Sequence, residues 1–430
     1  MFTLDWTMLS LDEGDSANLD DATEKANFQT QFHHYIPRFI LKTFSEDYEE
    51  AKQQTLIAPK QNKKKGRQKA APIQSYQSTV VLIVRPMRRR DFEIKIYRVL
   101  KQDITLESIS RAYGNQDMYR DINLEDCMLF EKLLSKLEDS SAVFIQKILS
   151  GQDISLTRTK LVEFKRFLAI MMYRDEHRRD QYFNDLFDNR TRHTIRKHMR
   201  FNNIDSIREV WFENLKWILK SSAEEIGKEA LKIYADSDFD KAVEEYKGPI
   251  HAYELLEYYH MTTNYVCVWE AQEGSEFIMS DNGFGCFEGD KGFFFHTFYI
   301  VSPKYAIVLA NRGYMSDLFK EFPFRKSWFE EFHPFPETVY KNKKMESPKD
   351  FTPDDVFKYR RVLIPRKKVW LVNSIFLDER RKYISHRSNA SMFKTLKFYD
   401  KNKDKMFIHK HDYSILKRQL FDEMNRTHST

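Results

Sequence analysis

His33-His34-Tyr35-Ile36-Pro37-Arg38-Phe39 sets two imidazoles, a phenol and a guanidinium around one proline. A neutral imidazole is a metal ligand or a general base near neutral pH, and an arginine holds phosphate or carboxylate through two parallel hydrogen bonds. His33, His34 and Arg38 are therefore candidates for an anion or metal site. The architectural alternative is that His34 and Arg38 cap neighbouring backbone or pair with Glu131 or Glu138.

Those two glutamates are seven residues apart. On one helix they share a face but stand about 10 Å apart along the axis, too far to hold one ion unaided. A shared site needs His34, Arg174 or Asp281 brought between them. Arg174 lies three and seven residues after Met171 and Phe167, so it projects from the apolar side of its helix and requires a carboxylate. Glu131 or Glu138 is the structural partner and Asp281 the functional one. Ser280-Asp281-Asn282 closes a strand pattern ahead of glycines, where it either forms a loop site or bonds its own backbone as an Asx-type turn. His409-Lys410-His411-Asp412 has metal-ligand spacing but lacks the further acid and histidine of a binuclear hydrolase, and reads as a surface cluster.

Two readings follow from these residues, and the sequence leaves open whether the protein is an enzyme. In the catalytic one, His34 is base or ligand, and His33, Glu131 or Glu138, and Asp281 hold a divalent cation or orient water. Arg38 and Arg174 then stabilise phosphate charge. That chemistry is metal-dependent phosphodiester hydrolysis of nucleic acid. In the other, the same residues form a buried polar network that fixes the fold of an interaction or scaffold module. The second is the more defensible, because no complete catalytic set is spelled out locally. The chain has no GxxxxGK[ST] phosphate loop, HExxH zinc motif or GxSxG nucleophile elbow, and Gly283-Phe284-Gly285 opens no helix pattern.

The elements that must position these residues are α+β. Residues 1–28 are acidic and aperiodic, a flexible leader. Pro37 suits the first turn of a short helix with Phe39, Ile40 and Phe44 on its apolar side. Thr79–Val84 and Phe92–Val99 read as a hairpin joined through Pro86 and the arginines at 85–90. Asn123 caps a helix carrying Leu124, Cys127, Phe130, Leu133, Leu134 and Leu137. A second helix starts near Thr157, buries Leu161, Phe164, Leu168, Met171 and Met172, and runs on into 174–180. Amphipathic stretches at 205–220, 222–235 and 250–260 complete a central helical bundle. Strand patterns return at 265–269, 276–280 and 293–309. The tail has a strand at Val362–Ile364 and helices near 369–382 and 412–422. We expect one main domain over 29–310, with a basic insert at about 59–72, and a C-terminal extension over 311–430 packing on it.

The order of the short motifs resembles the family known as domain of unknown function 4238, over about residues 31–310. The likeness rests on His34-Tyr35-x-Pro37-Arg38-Phe39, Glu131 to Glu138 in the first long helix, Arg174 ending the second, Trp269, and Ser280-Asp281-Asn282. Gly283 stands where the family pattern has proline. The resemblance implies a shared α+β fold and no activity.

The net charge of +6 is modest for 430 residues, but it is unevenly placed. Lys60, Lys63, Lys64, Lys65, Arg67 and Lys69 form one basic run and the arginines at 85–90 another. With Arg190, Arg192, Arg196, Lys197 and Arg200 these could track a phosphate backbone, which makes nucleic acid a candidate partner, although lysine-rich inserts are more often solvated loops. No apolar run approaches the ~20 residues that span a bilayer. The acidic N-terminus and three scattered cysteines point to an intracellular protein, cytoplasmic or nuclear.

Overall fold

The computed structural model describes residues 32–45, 92–119, 129–282, 284–290, 293–315, 327–342 and 351–427. The expected leader, the basic insert, the strand at Thr79–Val84, the arginines at 85–90, the Asn123 cap and Gly283 lie outside them. The chain opens with β1 (Phe32–His34) and a helical turn α1 (Arg38–Leu41) entered through Pro37, as the sequence predicts. Next come β2 (Glu93–Arg98), β3 (Asp103–Ser108) and β4 (Gly114–Gln116). β2 forms its hairpin with β3, the segment that follows it, and its other described neighbour is β14 from the far end of the chain.

The helical stretch begins with α2 (Leu129–Leu149), which runs well beyond the predicted Leu137. β5 (Ile154–Thr157) leads into α3 (Arg158–Tyr173), where the Thr157 hydroxyl caps the helix by accepting from Lys160 N. α3 stops at Arg174, because Asp175 accepts from His177 N and starts a separate helix, α4 (Glu176–Phe183). The expected continuous helix is therefore two helices with a sharp junction. α5 (Asn189–Asn202) has so few apolar residues that periodicity does not reveal it, yet it buries Thr191, Thr194, Ile195 and His198. α6 (Ile207–Lys220) and α7 (Ala223–Tyr234) each start on a reciprocal Ser/Glu capping box, Ser206 with Glu209 and Ser222 with Glu225. α8 (Phe239–Glu245) and α9 (Ala252–Thr263) close the bundle.

The later strands are β6 (Tyr265–Ala271), β7 (Met279–Ser280), β8 (Phe284–Asp290), β9 (Phe293–Ile300) and β10 (Tyr305–Ala310). After them come β11 (Glu337–Val339), β12 (Val356–Tyr359), β13 (Arg361–Ile364), α10 (Arg366–Glu379), β14 (Tyr383–Ser385), α11 (Asn389–Met406) and α12 (Ser414–Thr427). The main sheet has the order β13-β6-β10-β9-β8, with β13 parallel to β6 and the other pairs antiparallel. Every residue of β10 is buried, as a central strand covered on both faces requires. β8 lies hard against α3: a Cβ on Gly285, whose φ is +113°, would sit 2.5 Å from Met172.

Three smaller sheets have the orders β3-β2-β14-β7, β11-β12-β5 and β1-β4. Residues beyond 311 thus supply strands to three of the four described sheets. The architecture is α+β, with a helical bundle flanked by sheets that join early and late segments. Among the described residues no helix is long and apolar enough to cross a membrane.

Candidate functional site

Pairing of β1 with β4 sets His33 opposite Asn115 and His34 opposite Gly114. Because side chains alternate along a strand, the two imidazoles leave on opposite faces. His33 is buried, with Nδ1 accepting from Tyr119 N at 3.3 Å and Nε2 3.4 Å from Glu131 Oε1. Burial lowers its pKa against the pull of Glu131, so it is neutral at pH 7 and the Glu131 contact is no full ion pair. His34 Nε2 donates to the Ile109 carbonyl at 2.8 Å. Burial first, and then the charges of Arg38 and Arg174, bring its pKa down to about 4. Arg38 itself is exposed.

Arg174 caps α3 and is only 1% exposed. Its Nη2 lies 2.6 Å from Glu138 Oε1, and its guanidinium sits 5.9 Å from the Tyr119 ring centre. Tyr119 in turn stacks on Trp211, with centroids 6.1 Å apart. Burial opposes the Arg174 charge, and Tyr119, Glu138 and Glu131 outweigh it. The two glutamates of α2 therefore take different partners, Glu131 the neutral His33 and Glu138 the charged Arg174.

The next two residues tie the α3–α4 junction to the rest of the fold. Asp175 caps α4, and burial, with Asp281 nearby, pushes its carboxyl up to about 7. Glu176 Oε1 accepts from Asn115 Nδ2 and from Lys382 Nζ, both at 2.9 Å. Asp281 is 4% exposed, and its two oxygens accept from the backbone N–H groups of Arg381 and Lys382 in the turn before β14. Burial raises its pKa against those hydrogen bonds. Asn282 Nδ2 donates to the Glu379 carbonyl, so the Ser-Asp-Asn turn fastens both ends of the 379–382 connection. Trp269 is fully buried, with its indole N–H on the Phe332 carbonyl at 2.7 Å.

The fold thus gathers the motif segments around the Arg174–Glu176 junction, but His33, His34, Arg174 and Asp281 each have a separate partner. No three of His33, His34, Glu131 and Asp281 bring ligand atoms close enough to share one ion. Glu131 borders a shallow hollow along the outer face of α2. A hollow of about 1000 Å³ elsewhere in the fold is lined by none of His34, Arg38, Glu138, Arg174 and Asp281.

Two other clusters resemble sites. Asp378, Glu379 and His409 form the one described group of potential metal ligands within reach of a common ion. Asp378, however, already accepts from the backbone N–H groups of Ile408, His409 and Lys410 and from the Tyr399 hydroxyl, so it anchors the 408–410 loop. Its backbone carbonyl meets His411 Nε2 at 3.0 Å. Glu288, His296 and Ser327 are also buried together. Glu288 Oε2 and Ser327 Oγ meet the same nitrogen, His296 Nδ1, at 3.0 and 3.1 Å. A proton relay needs the nucleophile on one ring nitrogen and the acid on the other, so this trio is no catalytic triad. Sequence spacing marks His409 but not its acidic partners at the end of α10, and gives no sign of the Glu288–His296–Ser327 cluster.

A family model described as "Protein of unknown function (DUF4238)" matches residues 33–390, and the chain belongs to that family. The match extends past residue 310, where the short motifs end, through β14 and into α11. No curated protein and no solved structure matches the chain.

Proposed function

We propose that this protein is a non-catalytic interaction module: the motif residues lock its fold, and α5 presents a face for single-stranded nucleic acid. The observation that carries the reading is the separate pairing of His33, His34, Arg174 and Asp281, which leaves none of them as an open base, ligand or nucleophile activator.

Charge on α5 supports the partner class. Arg190 pairs with Asp240 at 3.1 Å, Arg192 with Asp185 at 2.9 Å and Lys197 with Glu244 at 3.3 Å. His193, Arg196 and Arg200, spaced three and four apart, share one exposed face. Among the described residues no carboxylate pairs with Arg196 or Arg200. Beside them Phe201 is 50% exposed, with the Lys247 ammonium 4.5 Å from its ring centre. Guanidinium groups without a carboxylate partner beside a half-exposed ring suit a phosphate backbone and a stacked base.

The test is incubation of the purified chain with labelled DNA and RNA, with and without Mg²⁺ or Mn²⁺, beside His34→Ala. Salt-sensitive retention of single strands without cleavage is expected. Metal-dependent cleavage that disappears in His34→Ala would overturn the reading in favour of phosphodiester hydrolysis.

A further inference from the structure

The hollow of about 1000 Å³ lies at the end of the main sheet where the parallel neighbours β6 and β13 both finish, at Ala271 and Ile364. This volume is at the upper end of the ~300–1000 Å³ of small-molecule sites. β6 leaves into a turn closed by Ser275 N–H on the Gln272 carbonyl at 3.1 Å, with φ +79° at Gly274. β13 leaves directly into α10, whose first residue, Arg366, reaches back over that turn. Arg366 Nε donates to the Glu273 carbonyl at 2.6 Å. Its guanidinium lies across Gly274 so closely that a Cβ there would be 3.2 Å from Nη2. That one hydrogen bond orients an exposed side chain, and its two Nη atoms have no protein acceptor among the described residues.

The other charges around the hollow are unevenly matched. Lys304 pairs with Glu270 at 3.0 Å. Glu276 accepts from Ser388 N at 2.8 Å and so closes the start of α11 itself, with Arg387 as its nearby cation. That helix end is therefore already served. Lys394, one turn further along α11, is exposed, lines the same hollow and has no carboxylate partner among the described residues. Two cations from different helices thus border one concavity, one of them oriented over a glycine turn, and the exposed Glu273 on the same rim is the one lining carboxylate without a cation partner among the described residues.

We infer that this hollow binds a small molecule carrying a phosphate or carboxylate group, gripped by Arg366 and Lys394. The oriented guanidinium offers the two parallel donors that such groups accept, and the lysine adds an adjustable point charge. The site stands apart from the α5 face and from the interaction-module reading, and either can fail without the other.

The test is calorimetric titration of the full chain with inorganic pyrophosphate and, separately, citrate, with spermidine as a control of opposite charge. We expect at least one anion to bind and spermidine not to. Lys394→Glu and Arg366→Gln should each weaken anion binding by about tenfold or more. Lys394 is on a solvent face, so an unchanged melting temperature in that variant keeps the result readable if Arg366→Gln unfolds. Preference for pyrophosphate identifies a phosphate ligand, and preference for citrate a carboxylate. Heat from neither anion, or undiminished binding in Lys394→Glu, overturns the inference. Arg196→Glu/Arg200→Glu should leave anion binding unchanged, which separates this site from the nucleic-acid face.

Discussion

Arg174, at the C-terminal cap of α3, meets Glu138 of α2 at 2.6 Å although the arginine is 1% exposed and the glutamate 27%. A buried guanidinium is tolerated where a carboxylate and an aromatic face replace its water, and Glu138 with Tyr119 does this here. The pair also explains the closed character of the motif region, since the charge best suited to a phosphate is already neutralised.

Glu138→Ala should strand the Arg174 charge in the interior. The cost expected for breaking such a pair is about 3–5 kcal/mol, with the lower end applying because water reaches the Glu138 side. Glu131→Ala should cost less, since its partner His33 is neutral in the folded protein. Urea unfolding of both variants checks the order, and an equal or reversed ranking refutes it.

His34→Ala should remove the donor to the Ile109 carbonyl and destabilise by roughly 1–3 kcal/mol, the cost of leaving a buried acceptor unsatisfied. Nucleic-acid retention, measured at a temperature where the variant is folded, should be unchanged. A selective loss of retention with stability intact would show that His34 contacts the partner.

Stability should fall as the pH drops from about 6.5 towards 4. Burial holds His34, His177, His198, His251, His333, His386 and His411 at pKa values of about 3 or 4. The unfolded chain therefore binds more protons than the folded one in that window, and stability present above pH 6.5 is lost on acidification. Asp175 has the opposite sign. Its pKa of about 7 lets the folded state keep a proton the unfolded chain releases, so its contribution declines as pH rises from about 4 to 7. Asp175→Asn, which retains a capping side chain, should raise the melting temperature more at pH 8 than at pH 5. A uniform shift at both would contradict this assignment.

Arg196→Glu/Arg200→Glu should weaken single-strand binding and flatten its salt dependence. With a slope of about −0.7 per phosphate neutralised on single strands, losing two contacts should reduce the slope by about 1.4. Reversing the already paired Arg192 and Lys197 instead should do less. Equal effects would mean that the α5 face acts only through net charge.

Periodicity and capping residues determined that the chain is α+β, that α3 begins near Thr157, that α6, α7 and α9 form amphipathic helices, and that Arg174 leaves from a buried face and needs an acid. These are local facts, carried by the spacing of apolar residues and by capping side chains within a few positions. Periodicity shows which face of an element is covered and not what covers it. The choice of Glu138 over Glu131 for Arg174, the capture of Asp281 by the 381–382 backbone, the addition of β13 to the edge of the main sheet and the insertion of β14 between β2 and β7 all depend on contacts across about 35 to 290 residues. The break at Asp175 was written locally, yet the apolar run before it masked the cap. α5 escaped because its stability comes from a narrow stripe of Thr, Ile and His docked on its neighbours. The hollow bordered by Arg366 and Lys394 exists only because two parallel strands end side by side, an arrangement fixed by the register of the folded sheet and encoded in no single stretch of sequence.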